Sequence, residues 1–362
     1  MASIQAAVSE LKRAEEIRSH PCPSCFLCGA EGEPLYEGLR DRLFGAPGIW
    51  AFKKCPNSRC ALVWLDPMPV ESDLPLAYQS YYTHVDCPEV RDTLLRSLYR
   101  KVRRGYLARR YGYTYPSPRF SDRLLGCLLY LDPYRRADVD FTVFYLHALQ
   151  NGRLLELGSG DGKMLAELQK LGWQVEGVDF DSAAVRNAQA KGVNVRLGTL
   201  FDQRFPDDSF DAIAMSHLIE HVHEPMALLQ ECRRVLRPGG RLVVVTPNLA
   251  SWGHRTFGPN WRGLEPPRHL HLFGLSSLGL LLSRVGFSNV ACISTPRGVS
   301  CTLASRALRR RGAVTPSTSP VLIQRVRAEA MGLTAWLRVR LNRESGEELL
   351  AVATKSAVRV ER

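Results

Sequence analysis

Three histidines and a glutamate crowd one short stretch of the sequence, HLIEHVH, which runs from His217 to His223. Within it, His217, Glu220 and His221 follow the H-x-x-E-H order of one class of zinc hydrolases, whose two histidines share one face of a helix. Pro225 comes four residues after His221, and a helix that continued through it would break. The sequence therefore argues against a zinc hydrolase and leaves these side chains as candidates for acid–base chemistry.

A second group of residues with metal-binding chemistry lies near the N-terminus, where five of the ten cysteines fall within the first sixty residues. Cys25-x-x-Cys28-Gly followed by Cys55-x4-Cys60 is typical of a zinc ribbon, in which two turns supply four thiolates to a closed, structural Zn²⁺ site. Cys22 also forms a C-x-x-C pair with Cys25, so the membership of the first pair stays open. The glycine after Cys28 favours the set Cys25, Cys28, Cys55 and Cys60.

The elements that must position these side chains are clearest after residue 150, where short apolar runs alternate with helical periods. Such alternation predicts a parallel sheet with helices on both faces. The predicted strands include RLLEL, QVEGVDF, NVRLGTL, FDAIAMS and RLVVVTP. A helix is expected over PMALLQECRRVLRPGG, ending at its Pro-Gly-Gly turn. The fold class is therefore α/β, with a Rossmann-like, doubly wound, mostly parallel sheet.

A glycine-rich loop, LLELGSGDG, joins the first strand of this region to its first helix. Gly158, Gly160 and Gly162 allow the backbone to turn sharply and approach a ligand, and the helix that follows presents free N–H groups. Asp179 ends the second strand, where a carboxylate can accept hydrogen bonds from a ribose diol. The loop and Asp179, in strand–helix–strand order, predict a site for a nucleotide-like cofactor.

Four segments in this order resemble the motifs of class I S-adenosylmethionine-dependent methyltransferases: LLELGSGDGKMLAEL, VEGVDFD, FPDDSFDAIAMSHLIEHVHEP and VLRPGGRLVVVTPN. The resemblance covers about residues 150–295. It implies that Glu156 and the glycine backbone hold the methionine end of the cofactor and that Asp179 holds the ribose. Many family members have an aspartate where this chain has Thr199. The cofactor-binding residues implied are Glu156, Gly158, Ser159, Gly160, Asp179, Phe180, Thr199 and Leu200.

The same resemblance implies that the stretch HLIEHVH faces the methyl acceptor. His217, His221 and Glu220 are then candidates for orienting the acceptor or removing its proton. The alternative is that His221 is a buried structural residue with Glu220 as its hydrogen-bond partner. His217 replaces a glutamate found in ubiquinone-pathway relatives, which makes a hard cation such as Mg²⁺ less suitable here.

A second candidate surface is NWRGLEPPRHLHLFGLSSL, residues 260–278, which follows the most apolar strand. Similar methyltransferases cover the acceptor with such a segment. His269 and His271 alternate with leucines, so one of them is expected to face the acceptor, and we include His269 among the catalytic candidates. Arg262 and Arg268 either bind an anionic group of the acceptor or lie in solvent.

The charge and hydropathy of the sequence limit the classes of partner and the cellular location to be expected. The net charge is +12, and twelve Lys and Arg stand against three Asp between Arg91 and Arg136. Such a segment attracts anionic partners, including nucleic acid and acidic membranes, although a solvated helical surface is the simpler interpretation. No apolar run approaches the roughly 20 residues of a membrane span. The N-terminus has no apolar secretory region, so we expect a cytoplasmic protein.

Together these features divide the chain into three parts. We predict a zinc-ribbon-like module at 1–75, a basic, largely helical connector at 76–140 and a methyltransferase domain at 141–362. The last part carries a basic helical insertion at about 299–345. Expected ligands are S-adenosylmethionine, a structural Zn²⁺ and a small-molecule acceptor, such as a sugar or secondary metabolite, methylated at O or C. The alternatives are a nucleic-acid methyltransferase and a non-catalytic scaffold that binds the cofactor.

Overall fold

The structure is a computed structural model that describes residues 16–79, 93–114, 117–314 and 321–356, with only the backbone of 321–329. Parts of the predicted zinc-ribbon-like module, of the basic connector and of the C-terminal end of the methyltransferase domain therefore lie outside the described residues. The strands are β1 (Ser19–His20), β2 (Glu33–Leu39), β3 (Trp50–Lys54), β4 (Val63–Leu65), β5 (Met68–Pro69), β6 (Arg153–Leu157), β7 (Gln174–Asp179), β8 (Val195–Leu197), β9 (Phe210–Ser216), β10 (Leu236–Pro247), β11 (His271–Leu272), β12 (Phe287–Thr295) and β13 (Glu348–Lys355). The α-helices are α1 (Leu94–Tyr111), α2 (Phe120–Leu125), α3 (Pro133–Phe141), α4 (Lys163–Lys170), α5 (Ser182–Ala190), α6 (Pro225–Val235), α7 (Trp252–Phe257), α8 (Leu275–Arg284), α9 (Val299–Arg311) and α10 (Val321–Leu341).

Seven strands form the central sheet in the order β12-β13-β10-β9-β6-β7-β8. The five strands from β10 to β8 pair in parallel, whereas β13 runs antiparallel to both of its neighbours. The predicted doubly wound, mostly parallel sheet is confirmed. Strands β7 and β8 follow β6 on one side of it, and the next strand, β9, lies on the other side of β6. The strand order therefore reverses between β6 and β9. In open α/β sheets, ligands bind at the carboxyl ends of the strands beside such a switch.

Both faces of the sheet are buried because successive strand residues point to opposite sides. Leu155 belongs to one apolar core, which it shares with Leu282 of α8 and with Trp64 of the N-terminal module. Leu154 belongs to the other core, with Leu165 of α4 and Tyr106 of α1. The N-terminal module and the connector therefore pack against opposite faces of the same sheet.

Helix α6 ends earlier than predicted. It begins with Pro225 at its first position and stops at Val235, and Leu236 is already extended and paired with Phe210 of β9. The expectation that the helix continues to the Pro-Gly-Gly turn is wrong. The residue before a proline is disfavoured in helical conformation, and Arg237 precedes Pro238, so the turn becomes an irregular start of β10.

The sheet of the N-terminal module draws its last strand from far along the chain. Its order is β11-β4-β3-β2, with His271 of β11 paired to Trp64 and Leu272 paired to Val63. The segment that the sequence identified as a possible acceptor cover is thus also an edge strand of the cysteine-bearing sheet. The first 75 residues share their sheet with the remainder of the chain.

A buried ion-pair network joins the same two parts. The Arg268 side chain is fully buried, and its Nη1 donates to Asp41 Oδ2 and to the Ala77 carbonyl, both at 2.9 Å. Its Nε donates to Glu265 at 3.1 Å, and its guanidinium lies over the Phe44 ring. The expectation that Arg268 binds the acceptor or lies in solvent is wrong. Its charge is already compensated by two buried carboxylates.

Replacing Arg268 by alanine is expected to lower the free energy of unfolding by about 3–5 kcal/mol, because buried Asp41 loses its counter-ion and Glu265 keeps only Arg262. Lys170 pairs with Glu167 on the surface, at 3.0 Å. Its replacement by alanine should leave stability nearly unchanged. Urea denaturation followed by circular dichroism measures both variants. A loss for Arg268→Ala no larger than that for Lys170→Ala would contradict a structural role for the network.

Candidate functional site

The glycine loop lies at the carboxyl end of β6, beside the switch in strand order. Gly158, Gly160 and Gly162 all have positive φ angles, +70°, +54° and +70°. This conformation is strained for other residues. A Cβ at Gly162 would lie 2.9 Å from the Cβ of Ala188, whereas a Cβ at Gly160 would meet nothing within 4 Å. The loop therefore packs tightly at its end and leaves its middle open for a ligand to approach the backbone.

Two buried polar side chains face this loop without a hydrogen-bond partner among the described residues: Glu156 Oε2 and Ser159 Oγ. Burial, reinforced by the charges of Asp179 and Asp161, raises the pKa of Glu156 well above its usual value. The raised pKa favours the neutral carboxyl group unless a cation lies beside it. The amino group of a bound amino acid is such a cation, so Glu156 and Ser159 fit the methionine end of the implied cofactor.

Asp179 ends β7 and is bound to the glycine loop. Its Oδ2 accepts from the N–H of Gly160 at 2.7 Å, and its Oδ1 accepts from the N–H of Asp181 at 2.9 Å. A carboxylate can accept about four hydrogen bonds, so this group fits a ribose diol. Phe180 follows and is 60% exposed, with its ring edge-on to Tyr78 at 5.7 Å. An exposed ring here fits contact with a flat base.

The loop after β8 lies against Asp179, because the N–H of Gly198 donates to the Asp179 carbonyl at 2.9 Å. Thr199 donates to Asp202 Oδ2 from its N–H at 2.8 Å and from its Oγ1 at 2.7 Å. The Asp202 carboxylate thus caps the turn, and Leu200 is buried in the core. Thr199 and Leu200, two of the implied cofactor-binding residues, lie in this loop, and the side chain of Leu200 is not available to a ligand.

The HLIEHVH stretch is not an α-helix. His217 has a φ of +52°, residues Ile219–His221 form a single 3-10 turn, and Val222 is extended. His217 and His221 therefore do not share one face of an α-helix, as the two histidines of the zinc hydrolases with this motif do. The stretch follows β9 directly, and Leu218 lies against Gly158 of the glycine loop.

His217 lies between two carboxylates. Its Nδ1 is 3.3 Å from Glu220 Oε1, and its Nε2 is 3.3 Å from Glu348 Oε1. Desolvation disfavours the charged ring, but the hydrogen bonds to Glu220 and Glu348 prevail and raise the pKa of His217 to about 10. The ring is therefore an imidazolium at pH 7. It can orient a ligand or donate a proton, but it cannot accept one.

His221 and His269 lie side by side, with ring centroids 4.7 Å apart. His221 Nδ1 is 3.0 Å from the Arg268 carbonyl and 3.0 Å from the Tyr78 hydroxyl. A carbonyl only accepts, so Nδ1 is the donor in the contact with Arg268. His269 Nδ1 donates in the same way to the Gly263 carbonyl, at 2.7 Å. Burial lowers the pKa of His269 well below its usual value, so this ring is neutral.

Glu220 lies beneath these rings and is fully buried. Its Oε2 accepts from Thr246 Oγ1 at 2.8 Å. Burial opposes its ionisation, but the neighbouring histidines, His217 first, lower the pKa of Glu220 to about 2. One ligand atom each of Glu220, His221 and His269 falls within 4.8 Å of the others. An ionised carboxylate beside a neutral imidazole is suited to stabilise the imidazolium that forms when the ring takes a proton.

Two further residues of this site carried no signal in the sequence. Tyr78 comes from the N-terminal region and touches both Phe180 and His221, and Glu348 comes from the last strand. No spacing rule connects either of them to the HLIEHVH stretch. The expectation that His269 faces the acceptor stays a prediction, and the ring of His271 packs against Phe26.

The predicted cysteines come together. Cys25 and Cys60 have their sulfurs 3.7 Å apart, and those of Cys28 and Cys55 are 3.3 Å apart. All four sulfurs lie within 4.8 Å of one another, and Cys22 is not part of the group. A tetrahedral zinc with Zn–S bonds of about 2.3 Å separates its sulfurs by about 3.8 Å. The donor set and its spacing therefore fit a closed zinc site.

Comparisons with known proteins agree with the geometry of the cofactor loop. Residues 134–292 match a family described as a methyltransferase domain. A probable S-adenosylmethionine-dependent methyltransferase of Mycolicibacterium smegmatis is 32% identical over 156 residues, 42% of this chain and 58% of the relative. A ubiquinone biosynthesis O-methyltransferase of Xanthomonas oryzae is 31% identical over 132 residues, 34% of this chain and 55% of the relative.

A solved structure of a SAM-dependent methyltransferase from Archaeoglobus fulgidus is 20% identical, with a TM-score of 0.42, and covers 61% of this chain and 92% of that one. This likeness is too distant to inform on the acceptor. The chain spans between half and three fifths of the length of the curated relatives described above. The matches support an S-adenosylmethionine-dependent methyltransferase domain in this chain.

Proposed function

We propose that the protein is an S-adenosylmethionine-dependent methyltransferase that methylates an oxygen or carbon atom of a small-molecule acceptor, with His221 as the general base. The observation that carries this proposal is the position of His221. Its ring lies above the ionised Glu220 and is joined through Tyr78 to Phe180, beside the cofactor loop. A proton acceptor thus borders the place where the resemblance puts the cofactor.

Within this proposal the cofactor, when bound, supplies a methyl group already activated by a sulfonium centre. Glu156 would accept from its ammonium group, and Asp179 would accept from its ribose hydroxyls. The open backbone at Gly160 allows the close approach that such a ligand needs. The protein's remaining task is to align the acceptor and exclude water.

His221 would take the proton from a hydroxyl group or an acidic carbon of the acceptor at its Nε2. The Arg268 carbonyl holds the ring in the tautomer that leaves Nε2 free. Glu220 then stabilises the positive charge on His221, as a carboxylate does beside a catalytic imidazole. His217, already protonated, would orient the acceptor. The O-methyltransferase name of one relative supports a hydroxyl acceptor.

A small acceptor is favoured over nucleic acid because two segments from distant parts of the chain cover the site. Tyr78 comes from the N-terminal region and contacts His221, and His269, which donates to the Gly263 carbonyl, packs against the same ring. The N–H of Leu270 donates to the Glu220 carbonyl at 2.7 Å, which holds this cover against the base.

We also propose that Cys25, Cys28, Cys55 and Cys60 hold a structural Zn²⁺. Cys60 lies three residues before β4, the strand that pairs with β11. The ion would therefore stabilise the sheet whose edge continues from His269. Its role in turnover would be indirect, through the shape of the acceptor cover.

Cofactor binding is tested by calorimetric titration with S-adenosylhomocysteine. Asp179→Ala should weaken binding at least about tenfold, because hydrogen bonds to a charged group are lost. Asp181→Ala is the matched control, since Asp181 caps α5 and should affect stability more than binding. Absence of binding to the folded wild type would refute the cofactor assignment.

The same titration reports on Glu156. Its raised pKa means that the free protein holds a proton that the ligand's ammonium group displaces. Binding should therefore release protons, detected as a dependence of the observed enthalpy on the buffer's ionisation enthalpy. Glu156→Gln should abolish that dependence.

The proposed base is tested by methyl transfer from labelled S-adenosylmethionine to a panel of hydroxylated and carbon-acid acceptors. His221→Gln should lower kcat about 10²- to 10⁴-fold and leave cofactor affinity unchanged. His223→Gln is the control, because His223 lies in the same stretch but bonds to the Pro69 carbonyl. Equal effects of the two substitutions would rule out His221 as the base. A wild type that binds the cofactor and methylates nothing would favour the scaffold alternative.

Zinc content is measured by inductively coupled plasma mass spectrometry on the full chain. We expect one zinc per chain in the wild type and in Cys22→Ser, and loss of zinc in Cys60→Ser. Loss of zinc should lower turnover more than it lowers affinity for S-adenosylhomocysteine, because the glycine loop lies outside the cysteine-bearing sheet. Zinc retained by Cys60→Ser, or lost from Cys22→Ser, would overturn the ligand assignment.

A further inference from the structure

Large apolar side chains are exposed at the start of α1. Leu94, Leu95 and Leu98 are 91%, 79% and 46% exposed. They lie within the first five residues of the helix, so they share its first two turns. Arg100, Lys101 and Arg104 follow in the next two turns of the same helix, where they line a cavity. The helix is therefore amphipathic, with an apolar side that the described residues leave exposed.

A second apolar stripe runs along α2 and the 3-10 turn that follows it, Gly126–Leu131. Its members are Phe120, Leu124, Leu128 and Leu131, which are 84%, 66%, 50% and 82% exposed. Their spacing of four, four and three residues places them on one side of a helical segment. Isolated exposed leucines are common, but seven large side chains in two stripes form a patterned surface.

The two stripes belong to one helical pair. A Cβ at Gly105 of α1 would lie 1.6 Å from the Asp122 carbonyl oxygen of α2, so the two backbones touch. Arg104 also pairs with the Asp122 carboxylate across this contact. We call the exposed apolar and basic side chains of α1, α2 and the turn 126–131 the connector surface.

The connector surface is strongly basic. Arg119 and Arg123 are exposed beside the second stripe. A cavity of about 590 Å³ lies between α1 and α4, and the basic residues that line it are Arg100, Lys101, Arg103, Arg104 and Lys170. Glu167, which also lines it, is engaged by Arg103 at 3.4 Å and by Lys170 at 3.0 Å. The surface therefore offers cationic groups and apolar side chains together.

We propose that the connector surface docks the protein onto an anionic lipid bilayer. Basic amphipathic helices lie in the bilayer interface, where the apolar side enters the acyl boundary and the cations meet anionic headgroups. Nucleic acid is a poorer match, because its binding surfaces use cations and stacking aromatic rings, and six of the nine large apolar side chains exposed here are leucines, with Tyr99, Phe120 and Tyr130 as the aromatic ones. Docking is peripheral, since no helix among the described residues is long and apolar enough to cross a bilayer.

The test is flotation of the full-length protein with vesicles. Vesicles of phosphatidylglycerol and phosphatidylcholine should bind the wild type, and those of phosphatidylcholine alone should bind it at least about tenfold more weakly. Binding should also fall as salt is raised, because the headgroup charges are screened. The triple variant Leu94→Ser/Leu98→Ser/Phe120→Ser should lower the partition coefficient at least about tenfold.

A matched control separates this surface from general hydrophobicity. Leu197 and Ile293 are each 54% exposed and lie on the edge strands β8 and β12. Leu197→Ser/Ile293→Ser should bind vesicles as the wild type does. Circular dichroism and titration with S-adenosylhomocysteine verify that both variants are folded.

Three results would overturn the proposal. The first is absence of binding to anionic vesicles at low salt, and the second is equal loss in the control and connector variants. The third is a duplex RNA or a second copy of the chain that binds the connector surface more tightly than vesicles do, measured by fluorescence anisotropy and by sedimentation. Charge reversal, Arg119→Glu/Arg123→Glu, should weaken vesicle binding and remove part of its salt dependence.

Discussion

A carboxylate buried at the end of β9 is the constraint around which the site is organised. An ionised group without solvent needs compensation from its neighbours, and Glu220 receives it from Thr246 and from the cation of His217. His217 in turn requires a second carboxylate, which Glu348 supplies from the last strand. Thr246 and His217 contact the Glu220 carboxylate directly, whereas the Nδ1 of His221 lies near the Arg268 carbonyl and the Tyr78 hydroxyl. The different hydrogen-bond partners of His217 and His221 are thus arranged around one buried charge.

Arg268 connects this charge balance to the rest of the molecule. Its guanidinium binds Asp41 in the N-terminal module, and its backbone carbonyl fixes the tautomer of His221. A single residue therefore ties the position of the cysteine-bearing sheet to the chemistry of the proposed base. The pairing of β4 with β11 provides a second tie a few residues further along.

Features that depend on nearby residues could be predicted from the sequence. The strands RLLEL and FDAIAMS have the predicted bounds, and the glycine loop meets Asp179 because both follow adjacent parallel strands. The cysteine group could be predicted for the same reason, since its spacing is that of two turns. The end of α6 was missed because apolar periodicity outlasts the helix, which stops before Pro238. Tyr78, Glu348 and the burial of Arg268 could not be found, since they depend on contacts between segments far apart in the chain.

The shared sheet of the N-terminal module has a consequence for how such proteins can diverge. Only two residue pairs, His271 with Trp64 and Leu272 with Val63, join β11 to β4. A shift of one residue in this register would turn every side chain of the short strand to the opposite face. The proposed acceptor cover and the cysteine-bearing sheet are therefore coupled through this register. A change in the length of either segment would have to preserve the pairing or be matched by a change in the other.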